Sequence, residues 1–379
     1  MTDSSQPLVS ILIRSTNRPS LAQALDSAAA QDWPNIEIVV AAANGSAHPP
    51  LPESWRGRPL GLVHPTPDRR LPRPDAANLC LENARGEWLN FLDDDDELLP
   101  NHVSTLLEAS RPNAERVVYA RGRIIDSAGR VQGTINHECH AVALYFHNIC
   151  QMNAALVHRS LIDEGARFDP AFAVAEDHDF FINLATRTRF AFADAVTSVW
   201  HAENGDSGCG HGANYNPALH RECELRLWGK WQGQFGIWLQ DVDALLHTAE
   251  QRLRRGDGTV SGECIERALR LRPGDARARE LAAALARARS GADALIKSGL
   301  EHLHQDDPAR AIDCFERALK LRPGDINALN LGGVALLRAG QVDRAEYWLE
   351  DAARRLPQHT GIQENLRLVR AQRAKKASA

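Results

Sequence analysis

The chain has 379 residues, more than one hydrophobic core usually organises, so two domains, or three, are expected. Apolar residues make up 44% and charged residues 25%, as in an ordinary globular protein, and the formal net charge of -5 argues against the basic face that nucleic-acid binding needs. No apolar run reaches the ~18 residues of a membrane span, and the start MTDSSQPLVS lacks the basic flank and apolar stretch of a signal peptide. A cytoplasmic protein is expected, with peripheral association at the inner face of a membrane left open. Seven scattered cysteines without a Cys-x-x-Cys pair argue against a disulfide framework. The first lysine is Lys230, so neither a P-loop lysine nor a Schiff-base lysine lies in the N-terminal half. Any phosphate held there must be neutralised by arginine, backbone N–H groups or a metal.

In chain order, the β-branched run from Leu8 to Ile13 predicts a strand, and Leu21, Leu25 and Ala28 mark one face of a helix behind it. A strand at 36–42, a Pro/Gly-rich loop at 44–59, a short strand near Leu62 and a helix over 75–84 follow. Trp88 to Leu92 reads as a strand, 101–109 as a helix behind Pro100, and 117–125 as a strand. A helix over 176–186 and one or two strands over 190–200 close the pattern. Alternation of this length predicts an α/β domain, Rossmann-like, with a mainly parallel sheet covered on both faces.

From Val242 onward strand signals vanish. ARAIDCFERALKLRPGD at 309–325 aligns with DRAEYWLEDAARRLPQH at 343–359 at an offset of 34 residues, the tetratricopeptide period. Gly299 and Gly333, Ala311 and Ala345, Ala318 and Ala352, and Pro323 and Pro357 occupy matching positions. An earlier copy at 263–275 lies 50 residues before the second, so an extra inserted helix is expected near 276–289. These repeats resemble the tetratricopeptide family over about 241–370, which implies an all-α solenoid with a surface for a protein partner. The expected division is 1–220 for the α/β domain, 221–240 for a helical linker and 241–375 for the repeats.

The strongest chemical signal is WLNFLDDDDELLP, an apolar strand delivering Asp93, Asp94, Asp95 and Asp96 at its carboxyl end, where open α/β sheets bind ligands. Four adjacent carboxylates repel one another unless a cation compensates, and hard divalent ions prefer oxygen ligands. A metal and a diphosphate are the expected occupants. Glu176 and Asp177, opening a predicted helix, are a second cluster; helix N-termini favour acidic residues for structural reasons alone.

VSILIRSTNRPSLAQALDSAAAQDWPNIEIVV, ARGEWLNFLDDDDEL and FDPAFAVAEDHDFFINLA together resemble the inverting family-two glycosyltransferases of the GT-A fold, over about 8–201. The resemblance implies sugar transfer from a nucleoside diphosphate sugar to an acceptor hydroxyl with inversion, as in cell-envelope polysaccharide biosynthesis. It implies an Asp-x-Asp motif at Asp93 and Asp95 engaging ribose and Mn2+ or Mg2+, with Asp96 able to replace either and His201 as a further metal ligand. Asp177 is the implied general base, beside Glu176. Donor contacts are expected from Arg14, Asn17, Asn44, Asn78, Asp93 and Asp94. The acceptor is expected to be a saccharide, a lipid-linked molecule or a protein. The glycine-rich stretch ENGDSGCGHG at 203–212 is expected to close over the donor. Two departures stand out: Ala42, Ala43 and Asn44 replace an acidic residue that commonly meets the base, with Asn44 or Asp68 as substitutes, and Arg14 stands where proline is usual.

A nucleotidyltransferase would need a glycine-rich loop bearing Arg and Lys after the first strand, and RSTNRPS has neither feature. The other alternative is a catalytically weak or inactive nucleotide-sugar-binding scaffold whose repeats bind partners.

Overall fold

The computed structural model describes residues 6–110, 115–126, 129–201 and 216–377. The stretch 203–212 lies outside the described residues. Two compact units divide at Trp238 and Leu239.

The first unit runs β1 (Val9–Ser15), α1 (Leu21–Ala29), β2 (Ile36–Ala42), β3 (Ser54–Trp55), β4 (Arg58–Val63), α2 (Arg73–Asn83), β5 (Trp88–Asp93), β6 (Glu97–Leu98) and α3 (His102–Ser110). It continues with β7 (Val117–Ile125), β8 (Val131–Ile135), β9 (Ala155–His158), α4 (Arg159–Asp163), α5 (Glu176–Ala185), β10 (Phe190–His201) and α6 (Pro217–Trp238). The strands form one sheet in the order β3-β4-β2-β1-β5-β9-β7-β10-β6, with β8 added on β7. Strands β4, β2, β1 and β5 are mutually parallel, as are β7 and β10.

Every residue of β1 and β2 is buried, so the two strands are rich in Val and Ile without alternation and carry Ser10, Arg14, Ser15 and Glu37 inside as well. Leu21, Leu25 and Ala28 of α1 pack with Val103 and Leu106 of α3 and with Ile11 and Ile13 of β1 in one core. Each such buried aliphatic side chain contributes about 1.5–3 kcal/mol. The mainly parallel sheet expected from the sequence is present, with one element the periodicity did not expose. Strand β9 inserts antiparallel between β5 and β7, pairing Trp88 with His158 and Val117 with Val157. Its four residues are too few to show a period, and Ala155, Leu156 and Val157 are buried.

The second unit is helical: α7 (Val242–Arg254), α8 (Gly258–Leu271), α9 (Ala276–His304), α10 (Pro308–Leu321), α11 (Ile326–Arg338), α12 (Val342–Arg355) and α13 (Thr360–Ala377). Asp241, Asp257, Asp275, Asp307 and Asp325 each cap the next helix, accepting from the backbone N–H three residues on. Such a cap contributes about 1 kcal/mol. The repeat positions matched in the sequence meet inside the hairpins: Ala311, Ala318, Ala345 and Ala352 are fully buried. A Cβ on Gly299 would lie 2.8 Å from the Phe315 ring and one on Gly333 2.6 Å from Leu349 Cγ, so glycine is what lets these helices approach.

The extra helix expected near 276–289 is not a separate element. It is continuous with the first helix of the following repeat, giving the 29-residue α9. Its sequence holds no proline, and Gly291 and Gly299 are tolerated inside a run rich in Ala, Arg and Leu, so nothing breaks the hydrogen-bond ladder.

Candidate active site

The site grows from one register fact. In the parallel pair β1–β5, Arg14 lies directly opposite Asp93. Adjacent strands are only about 4.8 Å apart. Arg14 therefore grips Asp93 Oδ1 with both Nε, at 3.0 Å, and Nη2. Its remaining Nη1 donates to Glu176 Oε1 at 2.9 Å. Arg73, the first residue of α2, forms an ion pair with the same Oε1 through Nε at 3.0 Å and places Nη2 3.8 Å from Asp93 Oδ2. Two guanidiniums and two carboxylates thus close a ring that joins the carboxyl end of β5 to the start of α5. Asp93 is about one-third exposed and Glu176 is buried, with its Oε2 unpartnered among the described residues.

The four aspartates have four different surroundings. Asp94 accepts from the backbone of Thr16 at 3.0 Å and from Arg18 Nη1 at 3.0 Å. Asp95 pairs with the same Arg18 nitrogen at 2.8 Å. Asp96 turns inward, accepting from Asn153 Nδ2 and from the His201 backbone N–H, both at 3.0 Å. Electrostatics follow position. Burial raises Asp93, but Arg14 and then Arg73 hold it below the usual carboxylate range. Burial, and next the charge of Asp93, push Asp95 up to about 6. Asp96 is raised well above the ordinary value by burial and then by Asp93 and Asp95.

Helix α5 begins at a strained point. Ala175, its N-cap, has φ 60° and ψ 24°, a left-handed conformation costing a β-carbon-bearing residue about 1–2 kcal/mol. This turn sets Glu176 into the arginine ring and Asp177 beside it. Asp177 Oδ2 accepts from Asn148 Nδ2 at 2.8 Å and Oδ1 from the His178 backbone N–H at 2.8 Å. Burial, and then Glu176, push the Asp177 carboxyl up to about 6.

The sequence candidates are therefore partly gathered. Arg14, Asp93, Asp94, Asp95, Glu176 and Asp177 converge through Arg14, Arg18 and Arg73. Asn17 is exposed on the Arg18 turn with φ 61°, and Asn44 reaches the Thr16 carbonyl at 3.3 Å. Asn78 is used in folding: it donates to the Phe168 carbonyl at 2.8 Å and accepts from the Phe168 N–H at 3.0 Å, clamping the loop before α5 onto α2. His201 Nε2 lies 2.7 Å from Glu97 Oε1. Among the described residues no three His, Cys, Asp or Glu side chains form a metal-holding group. The donor set suited to a hard cation is the partly exposed Asp93 and the crowded Asp95, and Mg2+ commonly uses one or two carboxylates with substrate phosphates completing its shell.

Arg18, Arg73 and Asn148 were not picked out in the sequence. For the arginines a partial signal existed: with no lysine before Lys230, arginine is the side-chain cation available in the N-terminal half to neutralise the four aspartates. Asn148 carries none, because it is 29 residues from Asp177 in an irregular segment.

Residues 10–157 match the family model described as glycosyl transferase family 2. Those residues form a glycosyl transferase family 2 domain. Residues 292–325, spanning the second half of α9 and α10, match the tetratricopeptide repeat model. Glu176 and Asp177 lie beyond the segment matched to glycosyl transferase family 2. The succinoglycan biosynthesis protein ExoO of Rhizobium meliloti (strain 1021) is 23% identical over 203 residues, 49% of this chain and 58% of that protein. Among solved structures, S. aureus TarS 1-349 aligns with a TM-score of 0.42 and 13% identity, covering 93% of each chain. The same protein in complex with UDP-GlcNAc aligns with a TM-score of 0.45 and 15% identity, again over 93% of each.

Proposed function

We propose that this chain is an inverting glycosyltransferase that moves a sugar from a nucleoside diphosphate donor to an acceptor hydroxyl. The observation that supports this most is the arginine-bridged junction of Asp93 with Glu176. It brings a carboxylate suited to proton abstraction, Asp177, beside a cluster suited to a diphosphate, although 84 residues separate Asp93 from Asp177 in the chain.

In this reading Asp177 accepts the acceptor hydroxyl proton as the oxygen attacks the anomeric carbon. An alcohol is a far weaker acid than a carboxylic acid, so proton transfer accompanies bond formation, and a base near 6 is ionised at neutral pH yet more basic than an ordinary aspartate. Asn148 orients it. Glu176 holds Arg14 and Arg73 where negative charge grows on the departing diphosphate. Asp93 and Asp95 would hold Mn2+ or Mg2+, which when bound supplies further charge neutralisation to the leaving group. The name of the Rhizobium relative supports a polysaccharide or its lipid-linked precursor as acceptor, and the repeats a protein partner.

The test is a thermal-shift panel of nucleoside diphosphates and their sugars, with and without Mn2+, on wild type and Asp95→Ala. A ligand at ~100 times its dissociation constant stabilises the folded state by ~2.7 kcal/mol. A Mn2+-dependent shift with one nucleotide, lost in Asp95→Ala, is expected. No shift with any donor would favour the scaffold alternative.

A further inference from the structure

The helical unit gathers positive charge in a place that the proposed reaction does not use. The turn after α7, Arg255-Gly256-Asp257, meets the turn after α10, Arg322-Pro323-Gly324-Asp325. The contact is so close that a Cβ on Gly256 would sit 1.8 Å from Pro323 Cδ. Any side chain there would push the turns apart. Between them lies a cavity of about 590 Å3, whose lining includes Arg255, Arg289, Arg322 and Arg355 from four different parts of the chain.

Two carboxylates also line it, Asp257 and Asp325, each using Oδ1 to cap a helix while Oδ2 faces an arginine, Arg252 at 3.6 Å for Asp257 and Arg322 at 2.7 Å for Asp325. Asp257 Oδ1 accepts from the Val260 N–H at 3.1 Å and Asp325 Oδ1 from the Ala328 N–H at 2.8 Å. Arg322 reaches Asp293 and Asp325, each at 2.7 Å, and Arg355 reaches Asp351 at 3.1 Å. Arg289 donates to the Gly258 carbonyl at 2.9 Å and has no carboxylate partner among the described residues. The Arg355 guanidinium lies over Gly324, within 2.4–2.8 Å of where a Cβ would be, so glycine makes the room it occupies.

Guanidiniums present paired N–H donors that match phosphate oxygens, and Arg289 reaches the cavity with no carboxylate of its own among the described residues. The volume exceeds what one phosphate fills. Helices α8 and α11 begin at the same cavity and add partial positive charge there. We propose that this cavity binds a phosphate-class anion, a phosphate or diphosphate group either free or carried on a larger molecule.

The experiment is calorimetric titration of the full chain with inorganic pyrophosphate at low salt, together with amide NMR of Gly258 and Ile326. Wild type, Arg289→Met and Arg355→Met are compared, with Arg18→Met separating out binding at the aspartate cluster of the other unit. Saturable binding that moves both amides, weakens about tenfold or more in each helical-unit variant and persists in Arg18→Met is the expected result. Both arginines are exposed, so folded variants are expected, and either one alone reads the site. A parallel titration with dimethyl phosphate distinguishes sources: pyrophosphate alone binding assigns a terminal phosphate, and both binding assigns a phosphodiester. Unmoved amides, or equal affinity in wild type and both helical-unit variants, would overturn the proposal.

Discussion

A buried carboxylate that titrates near 6 carries two opposite consequences at Asp177. Its folded value lies above the ~3.9 of an unfolded aspartate, so the folded state favours the neutral acid. Stability from this group is fully present below pH ~4 and is lost as pH rises through 6. Catalysis needs the ionised form, which appears over the same interval. Asp177→Asn is therefore expected to raise the melting temperature at pH 7.5 more than at pH 5, while lowering turnover by about 10²–10⁴-fold and leaving nucleotide binding intact. For wild type, kcat/KM should climb about tenfold per pH unit below 6 and level off above it. A flat profile across pH 5–7, or a variant that turns over normally, would remove Asp177 as the base.

Among the elements, α6 and the helical hairpins carry expectations that differ in kind. Helix α6 contains the first lysine of the chain, and Lys230 Nζ donates to Asp169 at 2.8 Å and to Asp179 at 2.9 Å, while Trp231 Nε1 donates to Asp179 at 2.7 Å. Asp179 is fully buried in the first turn of α5, two residues after Asp177. Lys230→Met leaves that carboxylate without its cation and is expected to cost about 1–3 kcal/mol in urea unfolding. Adding Asp179→Asn should recover part of the loss, since the remaining amide carries no charge to strand. In the hairpins the constraint is steric: Gly333→Ala puts a methyl group against Leu349 and is expected to cost about 1–3 kcal/mol, read as a lower melting temperature. The 34-residue offset made that glycine visible in the sequence, because its matching position repeats. Nothing periodic marks Lys230, whose partner lies 51 residues earlier.

For the whole molecule, the division at Trp238 decides how the chain can be cut. A chain ending near Pro217 lacks Lys230 and Trp231, whereas one ending at Trp238 keeps both. The longer truncation is expected to retain the nucleotide-dependent thermal shift and to lose the macromolecular acceptor or partner. The shorter one should melt several degrees lower, at roughly 2–4 °C per kcal/mol for a unit of this size. Equal melting of the two truncations would show that α6 contributes little to the first unit. Unchanged activity and oligomeric state without the repeats would reduce them to an appendage.

Local pattern was enough to place strands at 8–13, 36–42 and 88–92, the small residues and prolines of the repeats, and the acidic clusters at 93–96 and 176–177. Each of those signals lies within a few residues of itself, as apolar runs, fixed offsets or like charges in a row. Tertiary structure alone decided which aspartate does what. Asp93 is held ionised because parallel register sets Arg14 opposite it, Asp96 is turned inward because Asn153 and the His201 backbone receive it, and Asp177 is raised because the fold removes it from water beside Glu176. Those partners are 79, 57 and 105 residues away for Asp93 and Asp96. The charge state of a carboxylate depends on burial and on nearby charge, and both are properties of the folded neighbourhood rather than of the adjacent sequence.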